Sequence, residues 1–122
     1  MAKYLFQAGY SSDSWKAQVA KPASPIDRVT PVVKSCGGRL DCIYYAFGDD
    51  DVVGVIDMPT PEAAAAFALA ITAGGAMRSF KTTPLLTVEE GIAAMKKAAD
   101  VGKKYQPPID LPAAEKRERV KV

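Results

Sequence analysis

The sequence predicts an α+β domain, a split β-α-β arrangement in which one four-stranded antiparallel sheet carries helices on one face. Three observations lead there. Residues 38–58, GRLDCIYYAFGDDDVVGVIDM, read as two apolar strands joined by a tight acidic turn. One strand and one helical region precede this pair, and one helix and one strand follow it. Each flanking helical region has a Ser or Thr cap followed by proline, and each closes on a Gly-Gly pair (Ser24-Pro25 with Gly37-Gly38, Thr60-Pro61 with Gly74-Gly75).

Residues 3–10, KYLFQAGY, form the first strand, with Tyr4, Phe6, Ala8 and Tyr10 on one face and Leu5, Gln7 and Gly9 on the other. Residues 11–36 form a broken helical region. Ser11 or Ser12 caps a short helix through Trp15 and Val19, KPASP interrupts it, and Ser24-Pro25 restarts it. Ile26, Val29, Val33 and Cys36 then fall at helical spacing, and Pro31 is expected to kink or restart the helix. The second strand spans 39–47, with Leu40, Cys42, Tyr44 and Ala46 on one face and Arg39, Asp41, Ile43, Tyr45 and Phe47 on the other. The third, 52–58, is apolar on both faces and is expected to be central. A helix rich in small residues follows from Pro61, then a fourth strand over 76–83 that Pro84 ends. Thr87 and Glu90 make a capping box for a helix over about 88–103. The order β-α-β-β-α-β, with one added helix, is the ferredoxin-like pattern. Residues 1–105 are expected to form one domain, and the Pro-rich, charged stretch 106–122 a tail.

With 122 residues, 48% of them hydrophobic, the chain is long enough to bury a core without disulfides. A net charge of +2 is too small to imply a nucleic-acid or membrane partner, and no apolar run approaches bilayer-spanning length. The N-terminus lacks the apolar run of a secretory signal, so a cytoplasmic location is expected. The two cysteines, Cys36 and Cys42, read as small apolar fillers, one closing a helix and one in a strand. The chain contains no histidine. That excludes a His-ligated metal or haem and any Ser–His or Cys–His pair.

Three stretches, KYLFQAGY, GGRLDCIYYAFGDDDVVGVIDMPT and AMRSFKTTPLLTVEEG, together resemble the GYD-domain family over roughly residues 2–95. Gly48 and Asp51 match the family's Gly and Asp, and Asp50 stands in the place of its tyrosine. The resemblance implies a ferredoxin-like fold that dimerises sheet to sheet as a dimeric α+β barrel. It implies no established activity. Broader relatives include small monooxygenases, isomerases and ligand-binding modules, which often hold small molecules between sheet and helices.

The candidate ligand-binding residues are Tyr10, Trp15, Tyr45, Arg78 and Lys81. Tyr10 and Tyr45 can donate phenolic hydrogen bonds. Trp15 is expected to join Tyr4, Phe6, Tyr10 and Phe80 in an aromatic cluster that packs the core or walls a ligand cavity. Arg78 and Lys81 would meet an anion, but their opposite parity in the strand separates them unless a bulge intervenes. Asp49-Asp50-Asp51 reads as a solvated turn rather than a metal site, because consecutive carboxylates seldom converge. In it, Asp51 is expected to hydrogen-bond backbone amides and fix the hairpin. Catalytic residues are unassigned, and neither cofactor nor metal is expected. The expected function is binding of a small, mostly apolar molecule by a homodimer, with any catalysis cofactor-free. The alternative is a non-catalytic assembly or adaptor module. The expected partners are a second copy of the chain and a small-molecule ligand, with neither nucleic acid nor membrane.

Overall fold

A computed structural model describes residues 1–109 of the chain. The elements run β1 (Ala2–Tyr10), α1 (Ser12–Ala20), α2 (Pro25–Ser35), β2 (Arg39–Tyr45), β3 (Val52–Met58), α3 (Pro61–Ala73), β4 (Met77–Leu85) and α4 (Val88–Val101), with a 3-10 turn at Gly102–Lys104. The four strands form one antiparallel sheet in the order β2-β3-β1-β4. This is the ferredoxin-like arrangement, with its first crossover divided between α1 and α2, and β3 is central as its two apolar faces require. The chain divides into two compact units, Met1–Leu85 and a second beginning at Leu86. The expected tail lies outside the described residues from 110 onward. Among the described residues, no helix is long and apolar enough to cross a membrane.

The caps fall where the sequence places them. The Ser11, Ser24, Thr60 and Thr87 side chains each accept a backbone N–H of the helix they open, and the Thr87 amide in turn donates to Glu90 Oε1. Gly37 ends the α2 region at φ +82, and its amide donates to the Lys34 carbonyl. Two prolines behave differently from expectation. Pro31 lies inside an unbroken α2, where Val33 is fully buried and Val29 and Val32 pack beside it. Packing of that stripe outweighs the one hydrogen bond that proline forfeits. Pro84 lies within β4 instead of ending it. β4 is an edge strand, and an edge tolerates proline because one of its hydrogen-bonding sides has no neighbour.

The core lies between the sheet and helices α1 to α3. Phe6, Ile56, Met58, Val33 and Phe67 are its largest fully buried side chains. Phe6, Phe67 and Phe80 form an aromatic triad, with centroids 5.5–6.1 Å apart. Gly54 is needed opposite Phe6, since any β-carbon there would collide with the Phe6 ring. The expected faces of β2 are corrected by a register shift between Leu40 and Cys42. Leu40 pairs with Ile56, and Ile43 and Tyr45 pair with Gly54 and Val52, so these three share the core side.

The opposite face of the sheet carries partly buried Leu5, Val53, Val55 and Cys42. At one end of this face Asp57 is only 6% exposed. Lys3 Nζ donates to Asp57 Oδ1 at 2.9 Å and to Asp41 Oδ2 at 3.0 Å, and Arg39 Nη2 donates to Asp57 Oδ2 at 2.8 Å. The hydrogen bonds from Lys3 and then Arg39 hold the Asp57 carboxyl below its ordinary value against the opposing effect of burial. A carboxyl with a lowered folded-state pKa stabilises the fold above its unfolded pKa of about 3.9 and loses that contribution as pH falls through the folded value. The urea midpoint is therefore expected to drop as pH falls below about 5, and Asp57→Asn is expected to flatten part of that drop, as equilibrium unfolding across the range will read.

Candidate functional site

The polar and aromatic groups with chemistry to offer gather where β1 ends. Tyr10 is the last residue of β1 and is buried. Ser11 then caps α1, which places Trp15 one turn into the helix, beside the strand that precedes it. The Tyr10 and Trp15 rings meet edge to face at 5.1 Å, and Tyr45, at the end of β2, stands 6.2 Å from Trp15.

Asp51 ties this end together. The acidic turn folds back against β1, and the Asp51 amide donates to the Ala8 carbonyl at 2.8 Å. One carboxylate oxygen, Asp51 Oδ2, accepts from the Tyr10 amide at 2.8 Å, from Trp15 Nε1 at 3.2 Å and from Arg78 Nη2 at 3.4 Å. Burial opposes ionisation of Asp51, but the Tyr10 amide, the Trp15 indole and Arg78 outweigh it and hold the carboxyl below its ordinary value. Asp51 thus bonds a backbone amide as expected, and Asp51 and Asp50 are engaged rather than solvated, while Gly48 and Asp49 remain exposed. Asp50 Oδ2 also accepts from Lys81 at 3.2 Å and, at 3.4 Å, from Gln7.

A bulge makes that pairing possible. Gly9 pairs with Ser79 and Tyr10 with Met77, so Arg78 is the extra residue of β4. The parity difference between Arg78 and Lys81 is thereby cancelled, and both reach the acidic turn. Arg78 lies over Gly9, where a β-carbon would collide with its guanidinium, and also donates to the Asp49 carbonyl at 2.9 Å.

Arg28, on α2, is differently placed. Its Nη2 donates to Gln18 Oε1 at 3.0 Å and makes longer contacts to the Tyr10 and Tyr45 hydroxyls at 3.4 and 3.5 Å. Tyr45 in turn donates to Gln18 Oε1 or the Ala23 carbonyl, both at 3.3 Å. Partial burial lowers the Arg28 pKa, but the phenolic oxygens of Tyr10 and Tyr45 more than offset this, so the guanidinium stays charged.

Two open depressions flank this network. One is a cleft of about 580 Å³ between α1, α2 and the C-terminal end of α3. Its apolar wall is built by Ala17, Val29, Ala70, Ile71 and Met77, and its polar corner by Tyr10, Gln18, Lys21 and Arg28. The other, of about 410 Å³, is bounded by Trp15, Val19, Pro22, Tyr45 and Phe47. Gln18 borders both.

The structure therefore divides the five residues singled out from sequence. Tyr10, Trp15 and Tyr45 come together beside the clefts. Arg78 and Lys81 instead engage the acidic turn, and neither borders either cleft. The expected aromatic residues all belong to or pack against the hydrophobic core, Tyr4, Phe6 and Tyr10 within it and Trp15 and Phe80 against it, with Phe6 paired to Phe80 and Tyr10 to Trp15. Gln18, Lys21 and Arg28 were not anticipated. Arg28 carries a signal in the sequence, because no acid stands three or four residues from it to occupy its charge on the helix.

Asp51→Ala would strand the Tyr10 amide and the Trp15 indole. It is expected to cost about 2–3 kcal/mol, read by urea unfolding. Because Trp15 is the single tryptophan, its emission should shift at the same time.

No curated protein matches the chain. A family model described as GYD domain matches residues 4–95, from the start of β1 into α4 and well over half of the sequence. The chain thus belongs to the GYD-domain family.

Proposed function

We propose that this domain binds a small, mostly apolar molecule in the cleft between α1, α2 and α3. The observation that carries the reading is the distribution of chemistry around that space. Aliphatic side chains make one wall, and a phenol, an amide and a guanidinium converge at one corner. Binding sites for small molecules have this character: an apolar surface for affinity and a few fixed polar groups for orientation. The cleft volume also lies within the range of roughly 300–1,000 Å³ that such sites occupy. A thermal-shift screen with small aromatic acids, quinones and lactones tests the reading, with Trp15 emission followed in parallel. A binder is expected to raise the melting temperature by mass action. Ala17→Phe, which narrows the cleft from an exposed position, should abolish the shift and leave the unliganded melting temperature in place. A screen in which no compound moves either signal would count against the reading.

A second reading concerns the sheet face turned away from α1 to α3, and it supports self-association. Tyr44 is 66% exposed on this face, directly across from Val53. An apolar sheet face with an exposed aromatic at its edge can be covered by a second copy about a two-fold axis. Light scattering on the full chain is expected to give twice the chain mass, and Val53→Asp is expected to give a single-chain mass with unchanged far-UV dichroism. A single-chain mass for the unaltered protein would sink this reading, and with it a dimeric assembly module.

A further inference from the structure

The cleft has a charge property that an apolar ligand alone does not explain. Arg28 and Lys21 both border it, and no carboxylate does. Every ion pair among the described residues belongs to Lys3, Arg39, Arg78 or Lys81, so neither Arg28 nor Lys21 is paired with an acid there. The four paired cations lie at the acidic turn or beside Asp57, and Arg28 and Lys21 are the cations that border the cleft. Arg28 has five N–H donors. Its one short bond goes to a neutral amide oxygen, Gln18 Oε1 at 3.0 Å, and its other contacts are neutral and at least 3.4 Å long. A guanidinium held this loosely keeps most of its capacity for a planar, bidentate acceptor. The hydroxyls of Tyr10 and Tyr45 lie on the same nitrogen, so a ligand oxygen seated there finds a phenolic donor beside the cation.

We infer that the molecule taken by the cleft is an amphipathic carboxylate, with its charged end on Arg28 and its apolar body against Val29, Ala70, Ile71 and Met77. This rests on the reading of the cleft as a small-molecule site and adds the charge of the ligand. A carboxylate matches the fork of a single guanidinium. An aliphatic or aromatic body matches the wall of Val29, Ala70, Ile71 and Met77, and the one further polar side chain on the lining, Ser14, accepts from Gln18. Lys21 adds positive potential beside the cleft, while Asp51 and Asp50 of the turn are already engaged with Arg78 and Lys81.

The test titrates the full chain with octanoate, with octan-1-ol and with acetate, following Trp15 emission. Trp15 touches Tyr10, which borders the cleft, so it reports occupancy without a label. Octanoate is expected to bind roughly tenfold tighter than octan-1-ol, and acetate, which lacks the body, is expected to give no response at the same concentrations. Arg28→Met should bring octanoate down to the affinity that the same variant shows for octan-1-ol. Arg28→Lys, which keeps the charge but not the fork, should fall between and serves if the methionine variant does not fold. Equal binding of octanoate and octan-1-ol by the unaltered chain would overturn the carboxylate inference and leave the apolar cleft standing. Preference for octanoate that survives both Arg28 substitutions would overturn it too, by placing the anion elsewhere. No response to octanoate or octan-1-ol would remove the small-molecule reading along with it.

Discussion

A single carboxylate oxygen holds together the part of this domain where chemistry is available. Asp51 Oδ2 receives the last amide of β1, the indole of Trp15 and the guanidinium of Arg78. Each donor comes from a different element, and each element positions something else. The Tyr10 amide fixes where β1 stops and α1 begins. The indole fixes α1 against the strand end, and α1 carries one wall of the cleft. Arg78 fixes the bulge that turns β4. A charge-assisted bond is shorter and stronger than a neutral one, and its loss strands polar groups with no alternative partner nearby. The acidic turn is thus an anchor reached across the sheet, rather than a loop that simply reverses the chain.

The charges sort by face. On the face turned away from α1 to α3, acids and bases are matched: Lys3 and Arg39 with Asp57, Lys3 also with Asp41, Lys81 with Asp50. That matching satisfies the buried Asp57 carboxylate and leaves a central apolar strip of Leu5, Val53 and Val55. On the helix-bearing side, Arg28 of α2, beside the Tyr10 end of β1, has neutral partners only. Internal pairing gives the first set a structural explanation. The second has none within the described residues, and the proposed ligand would supply one. Family membership names the fold and does not name a ligand.

Much of the fold was legible in the sequence because it rests on local rules. Ser24-Pro25, Thr60-Pro61 and the Thr87–Glu90 box each state a helix start through backbone chemistry that does not depend on the rest of the molecule. The apolar run of β3 required burial on both faces, hence a central place. What the sequence hid was set by position in the sheet. Pro84 is tolerable only because β4 is at an edge, and edge status follows from strand order. The parities of β2 and β4 fail at single bulged residues, Asp41 and Arg78, which carry no local mark. The candidate site was half legible for the same reason. Tyr10, Trp15 and Tyr45 announce themselves as aromatic residues near strand ends. Arg28 has no acid three or four residues away on its helix, but only its neighbours in space show that none answers it from another element and that it borders the cleft.

The claim that Asp51 is ionised and holds the indole is most directly tested by following the Trp15 indole N–H resonance against pH. The chain has one tryptophan, so this is one signal. The account predicts an inflection below the ordinary carboxylate value of about 3.9, reported by that resonance and absent in Asp51→Asn. A resonance that does not titrate, or that titrates at or above the ordinary value, would contradict it.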